Sequence, residues 1–178
     1  LVYIGINSLS GITANAQIRK AISLACDRTV FAQSAYNGYA TAATSPFNPQ
    51  ASIAQNVKIF SSEADSITAK QALNQSMIDS KKLKVNILVN KNNNRIACAT
   101  LLKNQLEAIG FTVTIDEEGT KEYTRRVKNT EFNLYIGEVK LSDDMCLYPF
   151  FDDKSGGVRY GIDNENLTCD DLYSAYLA

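Results

Sequence analysis

Histidine is absent from all 178 residues. That removes the commonest general base, the usual activator of a nucleophile and the commonest imidazole metal ligand in one step. Most hydrolase triads are excluded with it. The four cysteines, Cys26, Cys98, Cys146 and Cys169, form no Cys-x-x-Cys pair, so without histidine there is no basis for a structural zinc site. The glycine-rich phosphate cradles are missing too, both Gly-x-Gly-x-x-Gly and Gly-x-x-x-x-Gly-Lys-Ser/Thr, and Ser155-Gly156-Gly157 is too short to replace them. No cofactor is implied. An excess of charge of either sign is also lacking: 18 basic and 19 acidic residues leave a net charge of −1, so no global field draws in nucleic acid or an anionic membrane. No apolar run approaches the roughly 20 residues that span a bilayer.

What is present is material for one domain. With 45% hydrophobic residues in 178, the chain can bury a real core, and the length is tight for two domains. Leu1-Val-Tyr-Ile-Gly-Ile-Asn7 opens in strand-like sequence with no initiator Met and no signal segment before it. It reads as an excised domain covering residues 1–178.

Ile18, Ala21, Ile22, Ala25 and Cys26 fall at the spacing of an amphipathic helix over 16–26, with Asn15 placed to cap it. A short helical stretch with Val30, Phe31 and Tyr36 should stop at Asn37-Gly38. The segment from Tyr39 to Val57 carries Pro46 and Pro49 and reads as an irregular excursion. Asp65 precedes a stripe of Ala69, Ala72, Leu73 and Met77, which predicts a helix over 66–78. Leu83, Val85, Ile87 and Val89 alternate with polar residues as in a strand, and Asn92 to Asn94 offer the cap of a long helix carrying Cys98, Leu101, Leu102, Leu106 and Ile109. Gly110 closes that helix. A strand from Phe111, a helix from Gly119-Thr120 through Val127 and a strand over Phe132 to Val139 follow. Strand, helix, strand, helix, strand predicts an α/β domain: a layered mixed sheet with flanking helices and parallel pairing. Beyond it, Ser142 to Phe151 reads as a short helix or turn broken near Pro149, and Cys169 to Leu177 as the start of a helix.

The charge clusters read first as surface. Asp116-Glu117-Glu118 fits a solvated turn before a helix start, where acidic groups suit the helix dipole. Asp143-Asp144 with Asp152-Asp153 lack the spaced pattern of an EF-hand loop, although a calcium site of another kind stays open. Lys81-Lys82 with Lys84, and Arg125-Arg126 with Lys128, read as solvent-facing. Cys26 and Cys98 lie on apolar helix faces and read as buried small hydrophobes. A Cys146–Cys169 disulfide stays open in an oxidising compartment.

Several ordered segments resemble one family, the large extracytoplasmic solute-binding proteins of ABC importers that include oligopeptide-, dipeptide- and nickel-binding members. Asn7, then Gln17-Ile18-Arg19-Lys20-Ala21-Ile22 and Ala25-Cys26-Asp27-Arg28, are similar to its Val-Arg-Gln-Ala-Ile and Ala-Ile-Asp-Arg signature. Ala69-Lys70-Gln71-Ala72-Leu73 resembles the helix before a strand in that family. Leu106-Glu107-Ala108-Ile109-Gly110-Phe111-Thr112-Val113 resembles its Leu-Glu-x-Ile-Gly-Ile-x-Val segment, and Glu122-Tyr123 through Phe132-Asn133-Leu134 its next helix and strand.

The resemblance implies the second lobe of a two-lobed, periplasmic-binding-protein-like fold, with the first lobe and the C-terminal return absent. It implies a peptide or other small polar solute held between lobes, and membrane permease and ATPase subunits as partners. The implied location is extracytoplasmic: a cell-surface lipoprotein in a Gram-positive organism, the periplasm in a Gram-negative one. For the site it implies the segment after the strand over Phe132 to Ile136, where peptide binders carry Gly-Trp-x-Ala-Asp with the Asp on the ligand's α-amino group. The stretch here is Gly137-Glu138-Val139-Lys140-Leu141-Ser142-Asp143-Asp144. Gly137 matches, Glu138 stands at the tryptophan and Leu141 at the Asp. Glu138, Val139, Lys140 and Leu141 are therefore the expected cleft residues, followed by Asp143 and Asp144. An inward Glu138 needs a cation, since an unpaired buried carboxylate is costly, and Lys140 is the expected partner. The departure at Leu141 leaves a rival reading, a surface interaction or receptor module that keeps the fold without transport. An enzyme is a distant third, because without histidine it would rest on carboxylates that the sequence sets at no definable separation.

Overall fold

The computed structural model describes residues 1–48, 50, 59–142, 147, 150 and 160–162. Strand β1 (Val2–Ile6) leads through a 3-10 turn at Ile12–Ala14 into α1 (Ala16–Ala25). Asn15 caps α1 as expected, its side-chain oxygen accepting from the N–H groups of Gln17 and Ile18 at 2.9 and 3.3 Å. A helical turn, Arg28–Val30, capped by Asp27, widens into a π-helical turn at Phe31–Ala35 and ends at Asn37 and Gly38, both at positive φ. After α2 (Ser66–Gln75) come β2 (Lys84–Asn90), α3 (Asn93–Ile109), β3 (Thr112–Glu118), α4 (Thr120–Lys128) and β4 (Leu134–Glu138).

The sheet order is β1-β4-β2-β3, with β2 parallel to both β3 and β4 and β1 antiparallel to β4. This is the mixed sheet expected. The parallel pairs arise because β2-α3-β3 and β3-α4-β4 are crossover units, and the second returns across β2. Helices therefore cover both faces. On one face, α1, α2 and α3 pack over Val85, Ile87, Val89, Leu134 and Ile136. On the other, Val127 of α4 meets Leu88, Phe132 and Tyr135. Leu88 interrupts the polar positions of β2 and is fully buried, as suits a parallel strand covered on both sides.

Below the short β2–β4 ladder two asparagines continue the pairing. Asn86 donates its backbone N–H to Asn133 Oδ1 at 3.1 Å, and Asn133 donates its own to Asn86 Oδ1 at 2.8 Å. At the far end of α3, Gly110 takes φ 115°, the left-handed cap its position predicts.

Three expectations are corrected. Helix α2 ends at Gln75 rather than 78: the Ser76 hydroxyl donates to the Leu73 carbonyl at 2.6 Å, and Met77 swings to φ 58° with 94% of its surface exposed. Met77 thus leaves the apolar stripe. Asp116, Glu117 and Glu118 belong to β3 rather than to a turn. Arg126 does not simply face solvent: it is 17% exposed and bonds Asp116 at 2.7 Å and Glu118 at 3.1 Å, holding α4 to β3. Lys81, Lys82 and Lys84 are exposed as expected. Cys26 and Cys98 are buried, also as expected. Cys146, Cys169, Asp152 and Asp153, the Ser155-Gly156-Gly157 loop and the helix expected over 169–177 lie outside the described residues, as do Pro49 and residues 51–58 of the excursion.

The Asp27-Arg28 pair does local work. Arg28 donates to the carbonyls of Cys26 and Ser61, its backbone N–H reaches Ser62, and its guanidinium lies 4.7 Å from the Phe60 ring centroid. It therefore pins the returning chain beside α1.

Candidate binding site at the carboxyl end of β4

Parallel strands deliver their carboxyl ends, and the first turns of the following helices, to one edge of the sheet. That edge is where open α/β sheets place ligands. Here Asn90 ends β2, Asn92 caps α3 by accepting from the Arg95 N–H at 3.2 Å, and Arg95 sits in the first turn. Its guanidinium donates to Asn90 Oδ1 at 3.0 Å and forms an ion pair with Glu138 at the end of β4. The cation that holds Glu138 is Arg95, not Lys140. Lys140 lies past the end of β4, is exposed and makes no ion pair with Glu138.

The two partners are unequal. The Arg95 side chain is 18% exposed and Glu138 51%, so the arginine is the fixed member and the carboxylate the reachable one. A pair this open contributes at most about 1 kcal/mol to stability, and its main effect is to orient the carboxylate.

Of the other expected residues, Val139 is half-buried and its N–H donates to the Leu1 carbonyl at 2.9 Å, which carries the β1–β4 ladder one step further. Leu141 is half-buried. Asp143 and Asp144 lie outside the described residues. Among the described residues no group of histidines, cysteines and carboxylates could hold a metal ion.

Sequence reasoning missed the other wall. A concavity of about 150 Å³ opens beside Glu138 on the α4 side. Tyr3 of β1, Tyr135 and Gly137 of β4, and Tyr123, Thr124 and Val127 of α4 line it, and Tyr160 closes it laterally. The Tyr123 hydroxyl donates to the Ile136 carbonyl at 2.6 Å, and that of Tyr135 to the Tyr3 hydroxyl at 3.2 Å. Burial pushes all three of these tyrosines above the ordinary phenol value. They stay neutral at physiological pH. Glycine is required at the floor, since a Cβ on Gly137 would overlap the Tyr3 ring. A glycine inside a strand marks such a close approach, and that was the one signal of the wall available in the sequence.

Behind the rim, Tyr36 packs against the core cluster that contains Cys98. Burial, together with Cys98 and the charge of Glu138, pushes the Tyr36 hydroxyl up to about 12.

A parallel-centred sheet covered by helices on both faces, with a polar rim and an aromatic hollow at its carboxyl edge, defines an α/β ligand-binding domain. The chain belongs to the bacterial extracellular solute-binding proteins, family 5 Middle, whose model matches residues 1–157. That is a family of binding proteins, not enzymes. It is 25% identical to AppA from Clostridium difficile over 77% of its own length, with a TM-score of 0.66. The oligopeptide-binding protein AppA from Bacillus subtilis, solved with a nonapeptide, is 19% identical over 98% of the chain with a TM-score of 0.74. NikA from Brucella suis, in complex with Fe(III)-EDTA, is 14% identical over 97% of the chain with a TM-score of 0.79. At those last two identities the likeness is one of fold. The chain spans 29%, 41% and 37% of these three proteins respectively. No curated protein matches it in sequence.

Proposed function

We propose that the chain is one lobe of an ABC-importer substrate-binding protein. It closes with a first lobe on a peptide or other small polar solute outside the cytoplasm and hands it to a membrane permease driven by ATPase subunits. A cell-surface lipoprotein in a Gram-positive organism, or a periplasmic protein in a Gram-negative one, is the setting that fits this role. Family membership supports the reading. So does the rim, where a half-exposed carboxylate is held at the end of the central parallel strands by an arginine with its own second anchor on Asn90.

That rim is the observation that carries the assignment. Glu138 presents a half-exposed carboxylate at the end of β4, and Val139, Lys140 and Leu141 continue the same edge. Asp143 and Asp144 follow as outlying members of the proposed site. Closure of two lobes about a hinge would strip water from this edge and strengthen each polar contact.

The test is Glu138→Ala in the protein carrying both lobes, with affinity measured by calorimetry against a pool of unmodified short peptides. A loss of about tenfold or more is expected. Unchanged affinity for every peptide that binds would sink the assignment of Glu138, and binding of no peptide would sink the peptide reading itself.

A further inference from the structure

We infer that the hollow beside Gly137 takes an uncharged aromatic group of the bound solute. Its volume, about 150 Å³, gives room for one ring, the size of guest that an enclosed apolar cavity of roughly that volume takes up as benzene, and the aromatic lining supplies the preference for a ring.

The walls suit a ring. Tyr3 and Tyr135 meet edge to face, with centroids 5.7 Å apart and planes at 83°, and Tyr135 and Tyr160 do the same at 6.4 Å and 69°. A further ring inserted among them extends a pattern that aromatic quadrupoles favour. Val127, contributed by α4, adds an apolar side to the hollow.

The charges favour neither alternative. Arg95 and Glu138 are the only ionised groups lining the hollow among the described residues, and they neutralise each other. A carboxylate entering would meet the Glu138 charge together with that of Arg95, and an ammonium would meet Arg95 together with Glu138, so neither finds the unopposed opposite charge that would offset its loss of water. The hydroxyls of Tyr123 and Tyr135 already donate to protein acceptors, so they offer a charged guest little in return. A neutral ring needs none of these contacts broken.

This inference rests on the solute-binding reading only in making the ring part of a captured solute. The hollow itself is probed with p-cresol, n-propylammonium and propionate at millimolar concentration, added to the isotope-labelled protein carrying both lobes and followed by amide shifts. Thr124→Trp, an exposed α4 position at the mouth of the hollow, serves as the blocked variant, with its fold checked by circular dichroism. The expected result is that p-cresol shifts the amides of Tyr3, Tyr123, Tyr135 and Gly137, that the two charged probes do not, and that Thr124→Trp weakens p-cresol by about tenfold or more. Should Thr124→Trp fail to fold, Val127→Phe replaces it. No shift at these amides, equal shifts by a charged probe, or undiminished binding by a folded blocked variant would each overturn the inference. If peptides bind while p-cresol leaves the hollow untouched, the aromatic subsite falls and the transport reading stands. If p-cresol enters and no peptide binds, the aromatic subsite stands and the peptide reading falls.

Discussion

Tyr3 on β1 fills the space that a side chain at position 137 of β4 would need, and Tyr135 does the same over Gly5. The register pairs Tyr3 with Gly137 and Gly5 with Tyr135, so each strand supplies one ring and one bare position to its neighbour. The exchange sets the two aromatic rings edge to face across the strand pair, where both line the hollow.

Alanine at either glycine should therefore be costly. Gly5→Ala and Gly137→Ala are each expected to lose ~1–3 kcal/mol in urea unfolding, as overpacked sites do, with Gly5→Ala the worse because its overlap with Tyr135 is deeper. Gly137→Ala combined with Tyr3→Ala should cost less than the sum of the single changes. Full additivity would show that the ring and the bare position are not coupled.

The Arg126 contacts should outweigh those of its neighbour. Arg126→Met removes the cation from the part-buried Asp116 and Glu118, leaving Asp116 its bond from Asn86, and is expected to cost ~1–3 kcal/mol, the range for leaving a hydrogen-bond partner unsatisfied. Arg125 pairs with Glu122 and Glu131 in the open, and Arg125→Met should change the unfolding midpoint little. Equal effects would contradict the difference in their surroundings.

Met77 gives a test of where α2 ends. It sits in the left-handed region and is almost wholly exposed, so Met77→Gly relieves backbone strain of about 1 kcal/mol and loses little packing. The variant should be neutral or more stable. Leu73→Ala, from the buried face of α2, is expected to cost ~2–5 kcal/mol. A substantial loss on Met77→Gly would mean that Met77 belongs to the apolar stripe after all.

Burial pushes the Cys26 thiol from 9.0 up to about 11, against a weaker pull from Arg28. The folded state therefore holds this proton after the unfolded chain has released it. The resulting stability is fully present below pH 9 and drains away as pH rises toward 11. Unfolding free energy should fall over that window, and the fall should be shallower in Cys26→Ala. Native Cys26 should also react slowly with iodoacetamide at neutral pH.

Much of the fold was legible because its signals are local. Asn15, Asn92 and Gly110 act within a few residues of themselves, and the alternation of β2 and the stripe of α1 are short-range patterns. What escaped depends on residues far apart in sequence. The end of α2 turns on one serine hydroxyl reaching back to Leu73, against a spacing that favoured Met77. Arg126 meets Asp116 only because α4 folds back over β3. Proximity in sequence points to Lys140 as the partner of Glu138, whereas the partner is Arg95, brought there by the crossover from β2 into α3. Gly137 matched a family pattern, but its physical reason, the ring of Tyr3, comes from the opposite end of the described chain.

The pairing of Val2 with Glu138 has a consequence for how the molecule is made. β2, β3 and β4 are contiguous and can assemble as their crossovers close, whereas β1 leaves the ribosome before any of them and has no sheet to join until β4 exists. Closing so long a loop costs roughly 4 kcal/mol of chain entropy on logarithmic scaling, and only the finished edge of β4 can repay it. Of the four strands of this sheet, β1 is thus the first synthesised and the last to dock, and during folding its row of Val2, Tyr3, Ile4 and Ile6 is the segment of the sheet that waits longest unpaired.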